Sequence, residues 1–194
     1  MKEKIEKIKK YAEENNVPIM MEDGIEFLTS YIKNNNIKNI LEIGTAIGYS
    51  SIMMALVDKN ITITTIERDE NRYQEALKNI QKFNLENQIT PILKDAFDVA
   101  LSDQFDLIFI DAAKAQSIKF FEKFETNLKK NGIIITDNLN FHGMVQKDEK
   151  EIASRNVRGI VRKTKAYIEF LKENKNYETT FFDIGDGISI SIKK

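Results

Sequence analysis

The chain has 194 residues, of which 42% are hydrophobic and 30% charged; this is the composition of a folded protein, with enough length for an α/β domain. The formal net charge of −1 gives no overall attraction to nucleic acid, so such binding would need a local patch. The lack of cysteine excludes disulfides, thiolate zinc sites and cysteine nucleophiles, and no apolar stretch could span a bilayer. Because the N-terminus also lacks the apolar core of a signal peptide, we expect a cytoplasmic protein that does not bind membranes.

Helical and strand-like hydrophobic patterns alternate along the sequence. Apolar residues at helical spacing predict helices, and short apolar or β-branched runs predict strands. In chain order, the predicted elements are helix 5–12, helix 22–33, strand 39–44, helix 49–57, strand 61–67, helix 71–83, strand 89–93, strand 106–111, helix 116–128, strand 132–137, helix 157–172, and strands 178–182 and 187–192. The last two strands are joined by a short turn and are therefore antiparallel. The pattern predicts a single domain, residues 1–194, with a mostly parallel sheet covered by helices on both faces.

Polar residues or glycine follow five successive predicted strands. Because ligands of open α/β sheets bind at the carboxyl ends of the strands, we expect the functional site at this edge. The residues placed there are Glu42 and Gly44, Glu67, Asp95, Asp111, and Asp137 with Asn138.

The loop after the first strand, EIGTAIGYS at residues 42–50, combines two glycines with the start of a helix. A loop that binds the pyrophosphate of a dinucleotide needs G-x-G-x-x-G, so this one favours a cofactor with an amino-acid end and no phosphates. Glu67, at the end of the second strand, is placed to bind the two hydroxyls of a ribose. The other interpretation is a strand-to-helix turn that needs glycine only for packing.

The motifs LEIGTAIGYSS, FIDAAK, ITDN and IGDGISIS resemble those of the cation-dependent O-methyltransferases, which include the catechol and caffeoyl-CoA enzymes. The resemblance covers nearly the whole chain. Through VPIM, GTAIGYS and DAAKAQ it is closest to bacterial tRNA 5-hydroxyuridine methyltransferases. It implies a Rossmann-like class I methyltransferase fold, with a seven-stranded sheet whose antiparallel edge is the C-terminal hairpin, and S-adenosylmethionine as cofactor. We also expect a homodimer.

The resemblance implies roles for individual residues. Lys114 matches the general base, for which its pKa must fall well below the ordinary value of about 10.4. The metal-ligand positions match Asp111, Asp137 and Asn138, whose oxygen atoms suit Mg²⁺ or another divalent cation. Expected cofactor contacts are Met20, Glu42, Gly44, Ser50, Glu67, Asp95, Ala96 and Asp111. The alternative interpretations are carboxylates that cap neighbouring helices and an ordinary surface lysine.

Three further residues are interpreted as structural. His142 is a single histidine in a loop, a position more often occupied by a hydrogen-bonding residue than by a substrate contact. Asp183 and Asp186 are interpreted as residues that shape the turn of the last hairpin.

The site motifs leave the acceptor open, since a catechol and a 5-hydroxyuracil both carry an ionisable hydroxyl beside a second oxygen. Arg155, Arg158 and Arg162 share one helical face and favour contact with RNA phosphates; the other interpretation is a solvated helix face. We predict methylation of 5-hydroxyuridine at the tRNA wobble position to 5-methoxyuridine. The alternative acceptor is a small hydroxylated aromatic, as in catechol or caffeoyl-CoA O-methyltransferases. The resemblance departs from the caffeoyl-CoA enzymes at Ala113, where those enzymes carry an acid. A more distant alternative is a nucleotide-binding Rossmann-like module without catalysis.

Overall fold

A computed structural model describes all 194 residues except the side chain of Glu149. The helices are α1 (Lys2–Glu14), α2 (Glu22–Asn34), α3 (Tyr49–Ala55), α4 (Glu70–Phe83), α5 (Ser117–Phe124) and α6 (Arg155–Glu173). The strands are β1 (Asn39–Ile43), β2 (Thr62–Glu67), β3 (Ile89–Leu93), β4 (Phe105–Ile110), β5 (Leu128–Thr136), β6 (Tyr177–Phe182) and β7 (Ile188–Lys193). No helix in this described chain is long and apolar enough to cross a membrane.

All seven strands lie in one sheet, in the order β3-β2-β1-β4-β5-β7-β6. The first five strands in this order are parallel to one another, whereas β7 runs antiparallel to both β5 and β6. The chain proceeds outward from β1 to β3 and then returns to place β4 on the other side of β1. This switch point is where open α/β sheets bind ligands. The prediction of a mostly parallel seven-stranded sheet with an antiparallel C-terminal hairpin is confirmed.

The sheet is buried on both faces, which explains why its central strands are continuously apolar. In β4, Leu107 and Phe109 face the core formed with α1 to α4, while Ile108 and Ile110 face the core formed with α5 and α6. All four are at most 2% exposed. Each such side chain contributes roughly 1.5–3 kcal/mol by its removal from water, so the sheet edge is a rigid support for the residues that follow each strand.

The structure corrects the predicted boundaries around α5 and β5. Helix α5 ends at Phe124 and is followed by a single 3₁₀ turn, and β5 already begins at Leu128. The Asn127 side chain donates hydrogen bonds to the carbonyls of Leu101 and Asp103, which ends the helix. Leu128 then pairs with Phe105 across a register shift. These contacts join segments that are distant in the sequence, so the local hydrophobic pattern could not predict the boundaries that depend on them.

Candidate active site

A cavity of about 540 Å³ opens at the carboxyl edge of the sheet, beside the switch point. Its walls come from the loops after β1, β2, β3, β4 and β5, from residues 18–21 before α2, and from the turn before β7. The predicted site residues that line it are Met20, Gly44, Ser50, Glu67, Asp95, Ala96, Asp111, Lys114, Asp137 and Asn138. Glu42 and the three arginines of α6 lie outside this lining.

The loop after β1 lies directly against the ends of the neighbouring strands. The amides of Gly44 and Thr45 both donate to the carbonyl of Ile66, at 3.0 and 3.2 Å. Gly44 has φ +105°, and a Cβ built on it would lie 2.2 Å from the carbonyl oxygen of Asp111. Only glycine permits this close approach, which shapes the floor of the cavity.

Glu42 lies beneath this loop rather than in the cavity, and it is fully buried. The hydroxyls of Ser50, Ser51 and Thr65 all donate to its carboxylate. Burial raises the pKa of Glu42 to about 7, although these three donors favour the ionised form. Glu42 therefore holds the first turn of α3 in place and reaches the cavity only through Ser50. Its expected contact with a cofactor stays a prediction.

Glu67 ends β2 with its carboxylate at the cavity wall. One oxygen accepts from the amide of Ala46 at 2.8 Å, and the other accepts from the amides of Arg68 and Asp69 at 2.9 and 2.8 Å. These bonds hold the carboxylate in one orientation beside the loop after β1. A carboxylate that binds two adjacent hydroxyls must be held in this way. On the same side of the cavity, Asp95 accepts a hydrogen bond from the amide of Phe97.

Asp111, Asp137 and Asn138 meet where β4 and β5 end. The side-chain amide of Asn138 donates to Asp111 at 2.7 Å and to Asp137 at 3.3 Å. Asp137 is 7% exposed, and its Oδ1 has no hydrogen-bond partner among the described residues. Burial raises the pKa of both carboxyls, and for Asp137 the charge of Asp111 adds to this effect. The described residues contain no group of three or more His, Cys, Asp or Glu placed to bind a metal, because the third donor here is an amide.

Lys114 extends from a short 3₁₀ helix, Lys114–Gln116, towards these carboxylates. Burial lowers the pKa of Lys114, and the charges of Asp111, Asp186 and Asp137 partly offset this effect. Its Nζ lies 5.3 Å from the centre of the Phe141 ring. Lys114 is thus half-buried in the cavity that it lines together with all three acids, unlike a lysine on the open surface. Its role as general base stays a prediction.

Asp186 is a residue of the site that the sequence analysis interpreted only as part of a turn. Its side chain is 95% buried, and its Oδ1 accepts a hydrogen bond from the backbone amide of His142. The His142 ring is 73% exposed, so this residue makes its structural bond through the backbone and not through the ring. The only sequence signal was the pair of glycines around Asp186, which indicated a turn but not what the turn contacts.

The three arginines predicted to bind substrate lie on α6, which packs against Lys114–Gln116. Arg155 and Arg162 are exposed. Arg158 is half-buried, and its guanidinium donates to the carbonyls of Ile152 and Ala153 at 2.6 and 3.2 Å. The three arginines share one face as predicted, and the two outer ones, Arg155 and Arg162, are exposed to solvent.

The whole chain, residues 1–194, matches the family model described as O-methyltransferase. The chain belongs to the O-methyltransferase family. A crystal structure of a Staphylococcus aureus protein assigned to the caffeoyl-CoA O-methyltransferases is 45% identical, with a TM-score of 0.93, over 98% of this chain and 92% of that one. An Arabidopsis thaliana protein with the same assignment is 32% identical over 94% of this chain and 81% of its own length. The catechol O-methyltransferase of Niastella koreensis is 31% identical over 81% of this chain and 74% of its own length.

Family membership confirms the prediction of an S-adenosylmethionine-dependent O-methyltransferase with a Rossmann-like fold. The non-catalytic alternative is therefore wrong. The enzyme needs room at the sheet edge for a cofactor and an acceptor side by side, and the cavity extends along that edge from β3 to β5. Glu67 and Asp95 lie at one end, and Asp137, Asn138 and Lys114 lie at the other.

Replacement of Glu67 by alanine is expected to weaken S-adenosylmethionine binding by about 1–3 kcal/mol, because the ribose hydroxyls would lose a charged acceptor. The amide of Ala46 would also lose its partner. Isothermal titration calorimetry measures the change, with Glu70→Ala, an exposed acid three residues further on, as the control. Equal affinities of the two variants would remove Glu67 from the cofactor site.

Proposed function

We propose that this O-methyltransferase methylates 5-hydroxyuridine at the wobble position of tRNA, with a divalent cation bound by Asp111, Asp137 and Asn138. The observation that carries the chemical part is the half-buried position of Lys114 in the cavity that it lines together with those residues. The observation that supports an RNA acceptor is the pair of exposed arginines on α6, the helix that packs against the Lys114 segment.

The donor set of Asp111, Asp137 and Asn138 fits a hard divalent cation such as Mg²⁺. Two neighbouring carboxylates that repel one another are stabilised when a cation lies between them, and the Oδ1 of Asp137 has no partner among the described residues. A cation requires the oxygen of the Asn138 amide, whereas this structure directs the nitrogen at the acids. Rotation of the amide by half a turn exchanges the two atoms without moving the chain.

Methyl transfer to oxygen requires a deprotonated hydroxyl aligned with the methyl group. A bound cation would lower the pKa of a chelated hydroxyl and orient it through an adjacent oxygen. The amine of Lys114 accepts the hydroxyl proton, since burial favours its neutral form. The Phe141 ring lies 5.3 Å from Nζ of Lys114, so it would cover that side of a bound acceptor.

The arginines of α6 support a polyanionic acceptor. Arg155 and Arg162 are seven residues apart, which places them on the same face of a helix about two turns apart. Both lie free in solvent, where they can bind phosphates. An anticodon loop can also present an unpaired base to a cavity without the cost of opening a duplex.

A small hydroxylated aromatic is the second candidate acceptor. The relatives at 31–45% identity carry the names catechol and caffeoyl-CoA O-methyltransferase, and a catechol offers the same pair of adjacent oxygens as 5-hydroxyuracil. Both acceptors use the same cation and the same lysine. The two proposals therefore differ only in whether α6 takes part in binding.

Replacement of Arg155 and Arg162 by glutamine is expected to weaken tRNA binding by roughly tenfold and to reduce its salt dependence by about one unit of slope for each phosphate that is no longer bound. Methylation of a small catechol should stay unchanged, because the cavity is untouched. The matched control is Lys172→Gln with Lys175→Gln, which removes two charges near the other end of α6. Arg158→Gln is measured separately, because Arg158 also binds backbone carbonyls.

The deciding experiment incubates labelled S-adenosylmethionine with tRNA from cells that lack the enzyme, beside a panel of catechols. Label in 5-methoxyuridine, dependent on Arg155 and Arg162, supports the tRNA proposal. Efficient methylation of catechols with unlabelled tRNA overturns it and favours the small-molecule acceptor.

A further inference from the structure

The loop that follows β5 adopts a backbone conformation that its residues rarely take. Asn138, Phe141 and His142 have φ values of +70°, +47° and +53°, and Gly143 follows at +76°. Asparagine and histidine tolerate the left-handed region better than most residues, but phenylalanine does not. A strained segment of this kind persists only where its surroundings hold it.

The turn between β6 and β7 holds this loop by three hydrogen bonds. The amide of Leu139 donates to the carbonyl of Gly187 at 2.9 Å, and the amide of Asn140 donates to the carbonyl of Asp186 at 2.7 Å. The third bond joins the amide of His142 to the carboxylate of Asp186. It is the only one of the three made by a side chain, so it is the one that depends on the identity of the residue.

The turn itself is fixed from its other side, by the start of α2. The amide of Gly185 donates to the carboxylate of Asp23 at 3.0 Å. Gly187 has φ +85°, and a Cβ built on it would lie 2.8 Å from the amide nitrogen of Asn140. The turn therefore packs between α2 and the loop, and its fixed position restrains residues 138–142.

The loop carries one predicted metal ligand, Asn138, and the ring of Phe141 beside Lys114. Asp186 is buried, and its Oδ2 has no partner among the described residues. Burial of a carboxylate oxygen without a partner costs free energy, so the bond that the other oxygen accepts from the His142 amide is the contact that Asp186 contributes here. Its negative charge also lies near enough to influence Lys114.

We infer that Asp186 is a positioning residue, whose hydrogen bond to the His142 amide holds the left-handed loop and thereby places Asn138 and Phe141 at the acceptor end of the cavity. This inference rests on the proposed function for the identity of the acceptor, but not for the position of the loop.

The test compares Asp186→Ala, which removes the bond, with Asp186→Asn, which keeps a neutral oxygen for the His142 amide. In the alanine variant, we expect amides 139–143 to exchange hydrogen about tenfold faster and kcat to fall by about tenfold to a hundredfold. The Kd of S-adenosylmethionine and the exchange of other segments should stay constant. Asparagine should restore both exchange and kcat to within about threefold of the wild type, because it retains the acceptor.

The matched control is Asp183→Ala, an exposed carboxylate of the same turn, which should change neither measurement. Where Asp186→Ala does not fold, Asp186→Leu removes the acceptor while it keeps the branched shape of the side chain. Unchanged exchange of residues 139–143 without the carboxylate overturns the inference. The inference is also overturned if Asp186→Asn shows wild-type exchange but the low kcat of the alanine variant. That result would mean that the charge of Asp186, and not its hydrogen bond to the loop, supports turnover. Hydrogen exchange is measured without any acceptor, so its result does not depend on the identity of the acceptor. The proposed function is tested separately, by turnover of the wild-type enzyme on tRNA and on catechols.

Discussion

Replacement of Asp137 by alanine is expected to reduce methyl transfer by at least about a hundredfold while S-adenosylmethionine still binds. Asp137 is buried beside Asp111, and its Oδ1 has no partner among the residues that the structure describes, so it is the strongest candidate for a ligand that binds only the cation. Single-turnover methylation of a catechol with and without Mg²⁺ measures the loss. Excess EDTA should reduce the wild type to the level of the variant, and the exposed Asp103→Ala should behave as the wild type. Full activity in EDTA would exclude the proposed cation.

The same residue gives a measurement that does not depend on turnover. The pKa values of Asp111 and Asp137 are raised in the folded protein, above their ordinary values in the unfolded chain. At pH values between the unfolded and the folded pKa, the folded state binds more protons than the unfolded state. The free energy of unfolding of the cation-free protein therefore falls as pH rises from 5 to 8. A cation that replaces those protons should therefore stabilise the fold more at pH 8 than at pH 5.

At a concentration 100 times its Kd, Mg²⁺ should add about 2.7 kcal/mol to the free energy of unfolding at pH 8. Thermal unfolding in Mg²⁺ and in EDTA at both pH values measures this effect. Asp137→Ala should lose most of it, whereas Asp103→Ala should retain it. Equal stabilisation at the two pH values, or in the Asp137 variant, would contradict a cation bound between these carboxylates.

Replacement of Gly44 by alanine is expected to lower the free energy of unfolding by about 3 kcal/mol or more, from left-handed strain and steric overlap together. The added Cβ would lie 2.2 Å from the backbone oxygen of Asp111, and neither backbone can move without displacing a central strand. Cofactor binding should be lost with it, since the same shift moves the loop that carries Ala46 and Ser50.

Gly143→Ala is the matched control for this prediction. Gly143 also has a positive φ of +76°, but a Cβ built there meets no atom of the described residues within 4 Å. The free energy of unfolding of Gly143→Ala should therefore fall only by the backbone strain, about 1–2 kcal/mol. Urea denaturation compares the two variants, and calorimetry compares their binding of S-adenosylmethionine. Similar losses in both would show that backbone conformation, and not close packing against Asp111, explains the glycine at position 44.

The amino-acid sequence was sufficient to predict the elements and the edge of the sheet that carries the site. Apolar runs, β-branched residues and glycines are local features, and they located all seven strands. The ends of parallel strands must share one edge, so Glu67, Asp111 and Asp137 could be placed together before their distances were known. Helix starts were less accurate. Helix α6 begins at Arg155, two residues before the predicted start. Ser154, in an extended conformation, caps it by accepting a hydrogen bond from the amide of Val157. The expected homodimer and single domain stay predictions.

Only the tertiary structure decided which polar groups face the cavity and which are enclosed by other side chains. Three hydroxyls surround Glu42, and Arg158 binds the backbone before its own helix. The contact between Asp186 and His142 spans 44 positions of the chain, and no periodic pattern records a contact at that separation. Local sequence determines which conformation a segment prefers, whereas the choice of partner for each buried polar group depends on how distant segments pack. For that reason the sequence predicted the sheet edge, and the fold determined the arrangement of the acceptor loop.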